Sequence, residues 1–379
     1  MLGRQTAAAK REREQQEMTK KTPSPRAPDS AASPRRPTMI DVGRLAGVSQ
    51  SSVSMVLNSM EGARIAEGTR LRVEEAARSL GYELPGLRRM RHRDLGRRTI
   101  AYLVDEISTS PHPVVNLDGA RDAGWEQGFL VSAHVTRSDP ALEASTLAAI
   151  LNDSSVLGII YSTIFTRRIT PPAALHSVPS ILLNCYDEAR SLSSILPAEV
   201  VGGFTATAHL TALGHRRIGF INGEPWMDAA ADRLKGYRQG LATSDLPFDE
   251  SLVRDGDWLP LTGYQHAIEL LSRPDRPTAL FCANDKMAAG ALAAAAELNL
   301  RVPEDVSILG YDDEELSRYT NPPLSTVVLP NYEMGRRAVE SLIRLSRGTR
   351  PHRPHLLKID GPIVERGSTA TFAPTEQEI

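Results

Sequence analysis

From Thr99 onward, short apolar runs alternate with longer segments of helical periodicity. The runs are Ile100–Val104, Leu157–Tyr161, Ser180–Leu183, Arg217–Ile221, Thr278–Cys282 and Val306–Gly310. They are the length of strands and apolar throughout, as buried parallel strands are. Between them, Ala141–Asn152, Val200–Leu213, Asp232–Thr243, Thr262–Ser272 and Asp285–Leu298 repeat their apolar positions as helices do. Strict alternation predicts a doubly wound α/β body. The strands outnumber one ordinary sheet, so two similar lobes are expected, with a ligand between them at the carboxyl ends of the strands.

Residues 38–84 have a different pattern, that of three short helices. Thr38 can cap the first, and Ile40, Val42 and Leu45 give it an apolar side. Ala46 lets two helices cross closely, and Gly47 supplies the positive φ of a tight turn. Ser49 caps a second helix, Gln50–Leu57, with Val53, Val56 and Leu57 turned inward and Gln50, Ser51, Ser54 and Met55 outward. Thr69 is expected to cap a third helix, with Leu71, Val73, Ala76, Ala77 and Leu80 as its apolar positions and Gly81 as its stop. This is a helix-turn-helix pattern, in which the second helix lies in the major groove of DNA. An ordinary three-helix bundle is the plainer alternative. The capping residues, turn glycine and helix lengths all agree with the DNA reader.

Charge sharpens that reading. The chain of 379 residues carries a net charge of -2, but the halves differ. Residues 1–98 hold 20 Lys+Arg against 11 Asp+Glu; the remainder holds 24 against 35. A basic head on an acidic body implies a polyanionic partner for the head alone. Residues 1–37, rich in Ala, Pro, Ser and charge, have little to bury and are expected to be a disordered tail. Residues 85–98 form a basic hinge, able to order against DNA phosphates or to remain a tether. Cys185 and Cys282 stand far apart in apolar runs, as buried free thiols do. No signal peptide or membrane-length apolar run is apparent, so a cytoplasmic protein is expected. No cluster along the chain has metal-ligand spacing, and Gly-x-Gly-x-x-Gly, P-loop, His-Glu-x-x-His and Gly-x-Ser-x-Gly patterns are lacking. No catalytic residue, metal or cofactor is therefore expected.

Three blocks carry a family resemblance. They are Asp41–Asn58; Leu213-Gly-His-Arg-Arg-Ile-Gly-Phe-Ile221 with Arg233-Leu-Lys-Gly-Tyr237; and Ala283-Asn-Asp-Lys-Met-Ala-Ala-Gly290 with Val306-Ser-Ile-Leu-Gly-Tyr-Asp-Asp313 and Pro322–Thr326. In order and spacing the chain resembles the lac-repressor (LacI/GalR) family of transcription regulators. The resemblance implies an α/β architecture: an all-α helix-turn-helix head over residues 38–84, a hinge over 85–98, a two-lobed core of parallel sheets like a periplasmic binding protein over 99–367, and a tail over 368–379. It further implies a homodimer on double-stranded palindromic operator DNA, most simply a repressor, with operator affinity controlled by a small molecule between the lobes.

Residue by residue, the resemblance places Gln50 and Ser51 at base-reading positions, where Gln suits adenine. Ser54, Met55 and Asn58 complete the DNA-facing set, and Thr38, Ser49 and Ser52 fit phosphate contacts and caps. Many relatives have Arg where Met55 stands; Met can touch a thymine methyl but cannot bond guanine in pairs. In the hinge, Arg88 and Arg89 are expected at phosphates and Met90 is the residue expected to wedge into the minor groove. Leu87 and Leu95 are alternatives, as is arginine insertion. The effector set is Ser110, His112, Asn184, Arg233, Trp258, Asn284 and Asp312. Arg233 and Asp312 are expected to face each other across the cleft, a pairing that suits a polyhydroxylated ligand such as a sugar. A structural ion pair is the alternative for those two, and core packing for Trp258. Asp285 and Asp313 fit a helix cap and a turn better than ligand contacts. Two other functions remain to be weighed: a small-molecule-binding protein acting without DNA, and an enzyme on the same α/β core.

Overall fold

Capping chemistry decides where the helices of the N-terminal unit begin. The computed structural model describes residues 37–57, 65–82, 99–348 and 353–372. Thr38 opens α1 (Met39–Ala46) with a reciprocal pair of bonds: Asp41 N–H donates to Thr38 Oγ1 at 3.3 Å, and Thr38 N–H donates to Asp41 Oδ2 at 2.8 Å. Gly47, at φ 67° and ψ 38°, ends α1 in the left-handed region. Ser49 then accepts from Ser52 N–H at 3.2 Å at the start of α2 (Gln50–Leu57). The third helix, α3 (Glu67–Ser79), begins two residues before the expected cap: Ala66 occupies the N-cap with no side-chain bond, and Thr69 lies within the first turn. Met39, Val42, Ala46, Val53, Val56, Val73, Ala76 and Ala77 form the core of this unit. Leu45 and Leu71, expected on buried faces, are 57% and 59% exposed. The buried positions facing the other helices are instead Val42 and Ala46 on α1 and Val73, Ala76 and Ala77 on α3.

The chain divides into two compact units, Met1–Leu84 and Pro85–Ile379. Residues 1–36 of the tail expected over 1–37, Asn58, and the hinge residues Leu87, Arg88, Arg89, Met90 and Leu95 lie outside the described residues.

The second unit contains two six-stranded sheets. The first is built from β1 (Thr99–Val104), β2 (Leu130–Val135), β3 (Val156–Arg168), β4 (Ser180–Tyr186), β5 (Ser193–Pro197) and β11 (Leu356–Ile359), in the order β11-β5-β4-β3-β1-β2 with every pair parallel. The second holds β6 (Ile218–Asn222), β7 (Val253–Asp255), β8 (Ala279–Cys282), β9 (Ser307–Asp312), β10 (Ser325–Val328) and β12 (Ile363–Val364), in the order β12-β10-β9-β8-β6-β7. Here only the β10–β12 pair is antiparallel. Each sheet is a lobe. Helices α4 (His112–Glu126), α5 (Pro140–Asn152) and α10 (Asn331–Arg347) cover the first; α6 (Glu199–Ala212), α7 (Asp228–Thr243), α8 (Pro260–Leu271) and α9 (Asp285–Glu297) cover the second. The chain crosses between lobes after β5, after β10 and between β11 and β12, so three connecting segments tie the lobes together.

Two features were illegible in the apolar pattern. Helix α10 buries Tyr332, Met334, Ala338, Val339, Leu342 and Ile343 although it is crowded with arginine and glutamate on its other side. The body also runs past residue 367: Ser368 is fully buried, accepts from Ser325 N–H at 2.8 Å and donates to Ile308 C=O at 2.6 Å. Phe372 N–H donates to Leu213 C=O at 2.7 Å, so residues 368–372 belong to the second lobe rather than to a tail.

Candidate functional site

In the N-terminal unit, α2 presents one polar face. Ser49 is only 8% exposed, because its hydroxyl is engaged at the helix start, 2.7 Å from Ser51 Oγ and 3.0 Å from Ser52 Oγ. Ser51 and Met55 are exposed, and Gln50, Ser52 and Ser54 are half-buried. Val53 and Val56 are buried against the other helices, so the outward set is one continuous surface of the second helix.

In the second unit, the expected cleft residues gather at the carboxyl ends of the strands, but their partners differ from expectation. Arg233 is 3% exposed and belongs to the same lobe as Asp312. The two do not face each other across the cleft. The fork of Arg233 is taken by Glu199: Nε donates to Oε2 at 2.8 Å and Nη2 to Oε1 at 2.9 Å. Nη1 donates to Ala283 C=O, and Nη2 lies 3.6 Å from Asp312 Oδ1. The guanidinium carbon sits 3.7 Å from the Tyr311 ring centroid and 5.5 Å from that of Trp258. Burial works against the charge, yet Glu199, Tyr311 and Asp312 together hold the Arg233 pKa above its ordinary value.

The Arg233-x-x-Gly236 spacing explains how so buried a pair is reached. A Cβ at Gly236 would lie 2.2 Å from Val200 C=O, and one at Gly203 would lie 2.3 Å from Arg233 C=O. These glycines let α6 and α7 touch backbone to backbone, which sets the first turn of α6, with Glu199, beside Arg233. Glu199 was not singled out in the sequence. Its signal was a carboxylate at the first helical position directly after an apolar strand and a proline, where the chain changes lobes.

Asn184 and Asn284 are buried and engaged within their own lobes. Asn184, at φ 58°, donates from Nδ2 to Thr163 C=O at 3.0 Å and accepts from Thr166 Oγ1 at 2.7 Å. Asn284 caps α9, accepting from Met287 N–H at 2.8 Å, and donates to Trp258 C=O at 3.0 Å. The cap is therefore Asn284 rather than Asp285. Asp285 is instead fully buried, accepting from Thr326 Oγ1 at 2.6 Å and Glu314 N–H at 2.7 Å, and burial pushes its pKa well up. Trp258 is half-buried at φ 68°, with its indole over Gly223, where a Cβ would come within 1.9 Å of the ring. It packs against the second lobe's core while keeping an edge at the cleft.

Contacts across the cleft come from both lobes. His112, at the start of α4, has Nε2 3.6 Å from Asp312 Oδ2 and 4.0 Å from Glu314 Oε1, and Lys286 Nζ lies 3.4 Å from the same Glu314 oxygen. Burial pushes the His112 pKa down to about 4 and the Asp312 pKa up to about 7. Ser110 Oγ accepts from His112 N–H at 3.4 Å, so the two act as one turn. Elsewhere Tyr186 Oη donates to Asp228 Oδ2 at 2.9 Å, Lys358 Nζ meets Asp232 Oδ2 at 3.3 Å, and Phe165 meets Trp226 edge to face at 5.6 Å. The sequence reading missed these pairs, because each joins segments far apart in the chain.

Comparison with known proteins places this geometry. The model for bacterial regulatory proteins of the lacI family matches residues 38–83, and that for a periplasmic binding protein-like domain matches residues 207–369. The HTH-type transcriptional repressor PurR of Vibrio atlanticus (strain LGP32) is 30% identical over 337 residues, spanning 88% of this chain and 99% of that protein. Among solved structures, the transcriptional regulator CelR-cellobiose complex has a TM-score of 0.60 at 29% identity, covering 88% of this chain and 100% of that one. The lac repressor dimer bound to operator and the anti-inducer ONPF has a TM-score of 0.61 at 28% identity, covering 89% and 100%. Among the described residues, no helix is long and apolar enough to cross a membrane. Head, two-lobed body and near-complete coverage of these relatives agree: the chain belongs to the LacI family of bacterial regulatory proteins.

Proposed function

We propose that this protein is a repressor whose affinity for a palindromic operator is set by a small polyhydroxylated molecule, a sugar or sugar derivative, held between the two lobes. One observation carries the reading. The lobes are tied by three crossing segments of chain and meet through polar pairs at the strand ends, so a molecule that bridges those groups selects one lobe arrangement over another. A ligand with different affinity for two arrangements shifts their balance, and DNA that prefers one of them feels the shift. The CelR-cellobiose complex, a relative holding a disaccharide, supports the ligand class.

Within this reading Gln50, Ser51, Ser54 and Met55 read base edges, while Thr38, Ser49 and Ser52 order the helix starts that meet phosphates. His112, Asp312 and Trp258 meet the effector, with Ser110 beside them. Asn184, Asn284 and Arg233 shape the walls, their polar atoms being spent on protein partners. A homodimer belongs to the same reading, supported by the relative solved as the lac repressor dimer bound to operator. The test is sequencing of genomic fragments retained by the full-length protein at moderate salt, with and without a panel of sugars. One enriched palindrome, released or tightened by a particular sugar, is the expected result. Enrichment that ignores every small molecule offered would remove the effector from the reading, and absence of enrichment would remove the operator.

A further inference from the structure

We propose that His112, Asp312 and Glu314 form a binding site for a divalent transition-metal ion that staples the two lobes together. The three ligand atoms all lie within 4.8 Å of one another. His112 comes from the first lobe and the two carboxylates from the second, so an ion here bonds to both. The separations of 3.6 Å and 4.0 Å from His112 Nε2 to the two carboxylates are close to what such an ion sets. A tetrahedral ion with bonds of about 2.1 Å places its ligand atoms about 3.4 Å apart. The two separations from His112 need to contract by a few tenths of an ångström.

The surroundings favour a cation. Glu199 and Arg233 neutralise each other in their paired bonds. Lys286 offsets Glu314. Asp312 is 9% exposed, its Oδ1 has no hydrogen-bond donor, and its contact with the already paired Arg233 stands at 3.6 Å. Asp312 thus lacks a close donor on Oδ1, on the Arg233 side, while its Oδ2 is the oxygen turned to His112. The ligands are also held in place from behind. Asp285 Oδ2 accepts from Glu314 N–H at 2.7 Å, which fixes the loop after β9. The Asn331 side-chain amide lies 3.1 Å from His112 Nδ1. The atom in contact is the amide nitrogen Nδ2, which donates to Nδ1; ion binding requires this amide to turn over, so that its oxygen accepts from Nδ1 and Nε2 keeps its lone pair for the ion, the arrangement in which ligating histidines are commonly oriented. A neutral imidazole with two carboxylates suits zinc, cobalt, nickel or manganese better than the harder calcium or magnesium. Lys286, with its side chain 35% exposed, is free to swing into solvent when the ion enters.

The site shares His112 and Asp312 with the effector contacts of the proposed function, so an ion and the effector draw on the same groups; the test contains no effector, and its outcome does not depend on that reading. Full-length protein is stripped with a chelator, dialysed against Zn²⁺ and analysed for bound metal; Co²⁺ is then titrated and followed by its visible absorption. One tightly held equivalent per chain is expected. His112→Phe, which keeps the ring volume, and Glu314→Gln should each lower affinity at least tenfold. Asn331→Leu should lower it by about tenfold to a hundredfold, as loss of an outer partner does. Lys286→Met should raise it. His266→Asn, which alters a histidine elsewhere on the same lobe, should leave it unchanged. Thermal melts establish that each variant folds. No retained metal, or retention undiminished in both His112→Phe and Glu314→Gln, overturns the proposal.

Discussion

Replacing Glu199 by glutamine tests the centre of the second lobe. Arg233 and Glu199 have side chains 4% and 5% exposed and share two bonds of 2.8 Å and 2.9 Å. The substitution keeps the shape, removes one charge, and turns an amide N–H toward the guanidinium. Removing one partner of a buried pair costs about 3–5 kcal/mol, because the surviving charge stays in the interior uncompensated. Asp312, 3.6 Å from Arg233, returns part of that. A loss of about 3 kcal/mol is therefore expected. Urea denaturation of the full-length protein, followed by circular dichroism, reads the loss as a lower midpoint. The double variant Glu199→Leu, Arg233→Met should recover most of it, since an apolar pair of similar volume removes both buried charges. A second readout separates position from stability: with Glu199 neutral, Arg233 turns to Asp312, and the effector response should fade even under conditions where the variant is fully folded. If Glu199→Gln costs less than about 0.5 kcal/mol, water reaches the pair and the buried-fork account is wrong.

Other consequences can be checked at single positions. Met55, 39% exposed on the outward face of α2, should alter which half-site is preferred when changed to Arg; a uniform gain across all operator sequences would deny it a base-reading role. Thr38→Ala removes the Oγ1 half of the α1 cap, the bonds with Asp41 N–H and Asp41 Oδ2, leaves the backbone N–H bond to Asp41, and should destabilise the head by about 1 kcal/mol, seen as earlier loss of operator binding on heating. His215 is buried against Thr278, Ser307 and Ala370 C=O, and burial holds its pKa below the ordinary 6.5. Its folded-state pKa lies below the unfolded one, so its contribution is complete above pH 6.5 and is lost as pH falls below that value. His215→Gln should flatten the stability profile on that acidic side, and an unchanged slope would locate the acid sensitivity elsewhere.

Much of this protein was legible along the chain, because its cues act over a few residues. The Thr38–Asp41 cap, the left-handed Gly47 and the Ser49 cap are short-range chemistry, and they specify the turn of the head wherever it is found. Parallel strands buried on both faces must be apolar throughout, so β1, β3, β4, β6, β8 and β9 announced themselves. Edge strands such as β2 and β7, half-exposed and mixed in pattern, did not. Helix α3 starts at Glu67, before Thr69, with no side-chain cap to mark its first residue, so its start left no local signal.

The cleft was legible only in part. The family resemblance put Arg233, Trp258, Asn284 and Asp312 in the cleft. It could not say which of them would be consumed by neighbours. Glu199 lies 34 residues from Arg233, and Asp312 lies 200 from His112; nothing in local spacing joins them. The three crossings between lobes bring them together, and the close contact of α6 and α7 at Gly203 and Gly236 settles whether Arg233 reaches a ligand or a carboxylate of its own lobe. Local propensity and apolar period determined the elements and their order. Only tertiary packing decided the charge partners, because the cost of burying a charge depends on what the rest of the chain carries to within a few ångströms of it.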